Sequence, residues 1–106
     1  MKTFRLEDMV KGWFVGDFEP AVLRSKEAEV AVKTYPAGAT EGRHMHKVAQ
    51  EVTMIFSGEA RMGGQHYRAG DIVLIEPGEA TDFEALTEVT TVVVKLPSVA
   101  GDKYAC

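Results

Sequence analysis

Residues 38–58 read GATEGRHMHKVAQEVTMIFSG, and the spacing inside this stretch decides how the rest of the chain is read. His44 and His46 are two residues apart, so on an extended strand both imidazoles project from one face. Glu51 follows five residues later, beyond a short polar stretch (KVAQ, 47–50) able to turn the chain. A neighbouring antiparallel strand would then bring its carboxylate to the same point. Two neutral imidazoles and one carboxylate suit a borderline divalent ion: Fe(II), Mn, Ni or Zn. Directly after Glu51 runs Val52–Phe56 (VTMIF), an apolar segment of strand length halted by Ser57-Gly58.

Working outward, the flanking segments have the same character. Glu29–Tyr35 (EVAVKTY) is rich in β-branched residues and stops at Pro36-Ala37-Gly38. Glu59–Met62 and Gln65–Arg68 flank Gly63-Gly64, a spacing that predicts a tight hairpin with positive φ at both central residues. Asp71–Glu76 follows Gly70 and ends at Pro77-Gly78, and Thr90–Leu96 (TTVVVKL) runs up to Pro97. Short strands punctuated by Gly and Pro are the pattern of a sandwich or barrel. No segment sustains helical periodicity; Glu7–Val10 and Glu84–Thr87 are expected to form a turn of helix at most. There is no internal repeat or linker, so residues 1–106 are expected to form a single domain with its core at about 29–97.

Composition sets the outer bounds. A chain of 106 residues, 45% hydrophobic and 26% charged, carries one core and is not disordered. A formal net charge of −4 gives no basic footprint, so a nucleic-acid partner is not expected. The only cysteine is Cys106, which excludes an intramolecular disulfide and fits a reducing compartment. The opening residues MKTFRLEDMVKG lack the apolar stretch of a signal peptide, and no apolar run approaches a membrane span. A cytoplasmic protein with no membrane partner is the expectation.

The spacing Gly38, five residues, His44, one residue, His46, four residues, Glu51, six residues, Gly58 matches the first motif of the cupin superfamily at every fixed position. The second motif also begins in register, with Gly70-Asp71 opening a strand and Pro77-Gly78 ending it in IEPGEATDFEA (75–85). Over about residues 30–96 the chain thus resembles a small single-domain cupin. The resemblance implies an all-β fold, a cupin-type double-stranded β-helix or jelly-roll barrel whose interior holds the site. It also implies one divalent metal ion on His44, His46 and Glu51. In metal-bearing cupins the second motif usually supplies a further histidine three residues after its Pro-Gly glycine, and here that place is held by Thr81. A hydroxyl is a poor ligand for a divalent ion. Three outcomes stay open: a three-ligand site with vacant positions, recruitment of Asp82 or Glu79, or a metal-free site in a retained fold. Asp82 should point away if Thr81 points inward.

Other residues carry weaker signals. Lys33 and Tyr35 share one strand face, opposite Val30 and Val32, and with Lys95 are candidates to contact an anionic substrate. His66, beside the expected hairpin, reads as an exposed residue rather than a ligand. Glu76, Glu79, Asp82 and Glu84 read as a solvated rim, with a paired-carboxylate acid/base site as the rival. Several strands are apolar on both faces: Val52, Met54 and Phe56 oppose Thr53 and Ile55, and Ile72/Leu74 oppose Val73/Ile75. The second face requires a cover, either a homodimer partner or the segment around Trp13, Phe14 and Phe18.

Three functions are consistent with these residues. One is a metal-dependent enzyme acting on a small polar metabolite, with oxygenase, isomerase or decarboxylase chemistry undecided. Another is a non-enzymatic small-ligand-binding module, with or without metal. The third is a metal-free sugar-nucleotide isomerase or epimerase with a histidine base. A phosphate-binding glycine loop, a serine nucleophile elbow, zinc-finger spacing and the paired cysteines of a deaminase are all absent.

Overall fold

The computed structural model describes residues 1–106 as eleven strands and one 3-10 turn, Leu6–Asp8. In chain order the strands are β1 (Trp13–Gly16), β2 (Leu23–Arg24), β3 (Glu29–Tyr35), β4 (Thr40–Met45), β5 (Gln50–Ser57), β6 (Glu59–Met62), β7 (Gln65–Arg68), β8 (Ile72–Ile75), β9 (Thr81–Ala85), β10 (Val89–Leu96) and β11 (Tyr104–Ala105). They form two sheets, ordered β2-β1-β3-β10-β5-β8 and β11-β4-β9-β6-β7. Apart from the parallel β1–β2 pair, every ladder is antiparallel. No helix is long and apolar enough to cross a membrane.

Period-two alternation sorts the first sheet into an inner and an outer face. β10 lies between β3 and β5, with Thr91 opposite Lys33 and Ile55, Val93 opposite Ala31 and Thr53, and Lys95 opposite Glu29 and Glu51. These are the inward rows. At one end they are apolar: Ile55 and Val89 are fully buried and join Ala60, Met62, Ile75, Phe83 and Ala85 in the core cluster. Fully burying a side chain such as Ile55 contributes about 1.5–3 kcal/mol. At the other end the same strands carry Glu29, Lys95 and Glu51, which cannot close into an apolar core and leave a polar cavity.

Local geometry agrees with the turn residues. Gly63 and Gly64 have φ of 56° and 80°, joining β6 to β7 as the hairpin spacing predicts. Gly58 has φ of 85°, and a Cβ there would lie 2.0 Å from the Glu88 carbonyl oxygen, so only glycine allows β5 to pass into β6 against that loop.

Two expectations need correction. Residues 84–87 form no helical turn: Glu84 and Ala85 end β9, because Phe83 and Ala85 alternate into the core. Nor does the Trp13 segment cover the outer face. β1 instead extends the first sheet beside β3, and its register with Ala31 sends Trp13 into the cavity. The outer face stays open, with Phe56, Ile72, Leu74 and Leu96 each about half or more exposed. The last residues are a strand of the same chain: Tyr104 and Ala105 pair with Met45 and His44.

Candidate functional site

His44 sits inside the second sheet, paired with Thr81 of β9 on one side and Ala105 of β11 on the other. His46 lies one residue beyond β4 and is buried. In both rings Nδ1 faces a main-chain carbonyl: Gly42 O at 2.9 Å for His44, and Asp102 O for His46. A carbonyl oxygen only accepts, so each Nδ1 carries the proton and each neutral ring keeps its lone pair on Nε2. The rings stand edge to face, 5.4 Å between centroids.

Glu51 arrives from β5, in the sheet facing the histidines. It does not come from a strand next to β4, as the sequence suggested, because the 46–49 turn carries the chain from one sheet to the other. Its Oε1 is 3.3 Å from His46 Nε2, and its Oε2 accepts a hydrogen bond from Thr53 Oγ1 at 2.8 Å. That turn is fastened by Asp102, whose carboxylate accepts the N–H groups of Lys47 (2.8 Å), Val48 (3.2 Å) and Ala49 (2.9 Å). One residue of the C-terminal segment therefore holds both the turn and the His46 ring.

A cavity of about 240 Å³ opens between the sheets, lined by His44, His46, Glu51 and Thr81 together with Lys33, Tyr35, Glu41 and Lys95. His46 Nε2 and Thr91 Oγ1 are buried side-chain atoms without a hydrogen-bond partner, and both residues line this cavity. The His46 lone pair thus faces a carboxylate, an arrangement that is repulsive unless a positive charge sits between them. A proton supplies it when the ring is imidazolium. Glu51 and the Asp102 carbonyl outweigh burial and raise the His46 pKa. Burial pushes Glu51 upward, but His46, Thr53 and Lys95 more than offset it, leaving its pKa lowered. A divalent ion bound to both atoms would supply it as well, so the chemistry of this pair suits a metal. No three His, Cys, Asp or Glu side chains are drawn together into a closed cage; His46 and Glu51 meet, while His44 stands a ring away.

The remaining candidates divide clearly. Thr81 lines the cavity beside His44, its hydroxyl donating to the Asp82 carbonyl at 2.8 Å. The Asp82 carboxylate accepts the Gly63 N–H at 2.9 Å, engaged with the hairpin rather than the histidines. Glu79 is exposed and caps the Glu76 N–H at 2.8 Å. Lys33 and Tyr35 point inward, and both reach Glu41 Oε1, at 3.1 and 2.8 Å. Burial and the adjacent Glu41 push the Tyr35 phenol far above its ordinary range, so it stays protonated. Burial likewise pushes Glu41 up, but Lys33 and Tyr35 win and hold it ionised. His66 is exposed, 3.6 Å from Glu59.

Glu41, Thr91 and Asp102 carry no functional signal in the sequence, whereas Trp13, with Phe14 and Phe18, is an aromatic that could stack on a ligand, and it lines the cavity. Glu41 lies three residues before His44, which alternation sends to opposite faces; a register shift between the two brings both inward. Asp102 sits in a Gly-Asp-Lys turn with no strand pattern around it, and nothing local signals its role.

No protein-family model matches the chain, and no curated protein matches it. Solved structures do. An uncharacterized conserved protein with a double-stranded β-helix domain from Klebsiella pneumoniae aligns over 99% of this chain and 91% of its own, at 23% identity and a TM-score of 0.74. An RmlC-like cupin from Shewanella frigidimarina aligns over 71% and 70%, at 19% identity and a TM-score of 0.66. Oxalate decarboxylase of Bacillus subtilis, described with Mn(II) centers, aligns over 76% of this chain and 24% of its own, at 21% identity and a TM-score of 0.62. The chain has the cupin fold, a double-stranded β-helix.

Proposed function

We propose that this protein is a metal-dependent cupin in which His44 Nε2, His46 Nε2 and the Glu51 carboxylate hold one divalent ion facing a small polar metabolite. The observation that carries the reading is the tethering of both Nδ1 atoms to main-chain carbonyls, which leaves two Nε2 lone pairs for the cavity. Such an ion polarises a bound carbonyl or carboxylate oxygen, or activates dioxygen if it is Fe(II). The chain's own groups do the positioning. Gly42 and Asp102 orient the rings, Thr53 holds one Glu51 oxygen, and Trp13, Met62, Phe83 and Val93 limit water in the cavity. Thr81 in place of an imidazole leaves room for ligand oxygen atoms beside His44.

The cavity, about 240 Å³, is smaller than the ~300–1,000 Å³ of typical ligand pockets, which favours a compact metabolite over a sugar nucleotide. The rival is a binding module without turnover, favoured by the missing fourth ligand at Thr81. Titration of metal-stripped protein with Mn(II) or Zn(II) tests the site. One equivalent should bind, more weakly as pH falls through the raised His46 pKa, because the ion displaces the His46 proton. His46→Ala should weaken binding by at least about a hundredfold. Unchanged affinity in both His44→Ala and His46→Ala would end this reading. We also propose that a second copy of the chain covers the open outer face of the first sheet.

A further inference from the structure

The lysines of this acidic chain are unevenly placed. Four of its seven, Lys11, Lys33, Lys95 and Lys103, line the cavity that holds His44, His46 and Glu51, and none of its five arginines does. Lys33 and Lys95 belong to the inner face of the first sheet, and their side chains are only 17% exposed. They lie on rows either side of Trp13, with ammonium groups 5.7 and 4.8 Å from its ring centroid. Each makes one ion pair, Lys33 with Glu41 and Lys95 with Glu29, so the remaining N–H donors are not used by an ion pair. Lys11 and Lys103 form no ion pair. Directly opposite Lys33 on β10 is Thr91, 1% exposed, whose hydroxyl has no partner.

Burying ammonium groups and a hydroxyl around an empty space costs free energy unless something polar enters it. The four lysines are balanced by Glu41, Glu51 and Asp82 of the lining and by Glu29 behind Lys95. A divalent ion would tip this balance to an excess of positive charge, which an anionic occupant neutralises. We propose that the cavity's organic ligand is a small carboxylate, selected by Lys33 and Lys95 and hydrogen-bonded by the Thr91 hydroxyl. A phosphate ester fits less well. It is usually met by forked arginine donors or by main-chain N–H groups at a glycine loop or helix start, and no arginine or helix borders this cavity. The charge argument rests on the proposed ion; the lysines and Thr91 stand without it.

The test is calorimetric titration of the full chain, metal-stripped and Mn(II)-loaded, with succinate, succinamide and inorganic phosphate. Succinate should bind at least about tenfold more tightly than succinamide or phosphate. Lys33→Met and Lys95→Met should each weaken succinate about tenfold while leaving Mn(II) affinity within about threefold. Thr91→Val should lower succinate affinity with no loss of thermal stability, because it removes a hydroxyl that has no partner in the fold. Should a buried-lysine variant fail to fold, Lys103→Met, at an exposed position, takes its place. Succinate binding that depends on the lysines without any Mn(II) binding would keep the carboxylate site and remove the metal reading. Mn(II) binding with succinate and succinamide equally weak would do the reverse. Equal affinity for phosphate, or variants that leave succinate binding unchanged, would overturn the proposal.

Discussion

At the scale of single residues, Asp102 accepts three consecutive main-chain N–H groups with its carboxylate and the His46 ring with its carbonyl. Removing the carboxylate leaves those donors without their acceptor, the Ala49 N–H at a buried position. Asp102→Ala should therefore cost about 3 kcal/mol, read as a lower midpoint in urea unfolding. Burial raises the Asp102 pKa, but the three N–H donors more than offset this, and the net direction is downward. A carboxyl depressed in the folded state stabilises fully above its unfolded pKa of about 3.9, and that contribution fades as pH falls through the folded value. Wild-type stability should thus decline below about pH 4, and Asp102→Ala should decline less steeply there. Equal acid slopes would show that the carboxylate does not hold the turn. His46 works in the opposite sense in metal-free protein: its raised pKa stabilises below about 6.5 and ceases to do so as pH rises.

At the scale of elements, the β4–β9 register places Thr81 directly beside His44. Thr81→His should set a third imidazole beside the first two, since Thr81 lines the same cavity as His44 and His46. Metal affinity should rise about tenfold or more, measured by competition with a chelating dye. No change would place position 81 outside the ion's reach. The elements themselves were unevenly legible. Glu29–Tyr35, Glu59–Met62 and Gln65–Arg68 carry their pattern in β-branched runs or around Gly63-Gly64, and the strands match them residue for residue. β4, with the sequence TEGRHM, has no apolar alternation because it lines the cavity and pairs with β9 and β11. β9 is short and flanked by acids, so its last two residues, with 86–87, read as a turn of helix at most. The histidine pair and Glu51 were visible because their spacing is rigid. Glu41 and Asp102 were not, because a register shift turns the first inward and the segment after β10 brings the second back to the 46–49 turn.

At the scale of the whole molecule, the outer face of the first sheet presents Val52, Met54, Phe56, Ile72, Leu74 and Leu96 with no element packed over them. The N-terminal residues Phe4 and Leu6 reach only the Val32–Thr34 side. A stable interface hides about 800 Å² per partner, a scale that a six-stranded face meets more readily than a loop. Light scattering should give twice the chain mass of 11.6 kDa. Ile72→Lys with Leu74→Lys should yield monomer whose metal binding is intact, because both side chains point away from the cavity. A monomeric wild type would remove the pairing proposal.

The central place of β10 has a further consequence, for biosynthesis. β3 and β5 precede it by dozens of residues, yet neither has its main ladder until Val89–Leu96 arrives between them. On a ribosome the chain emerges from its N-terminus, so the first sheet has no middle until Leu96 clears the exit tunnel. Until then two open strand edges and their apolar faces are exposed together, a state prone to misassociation. The first sheet is in that sense completed late, since its central strand is the last of its six to be made.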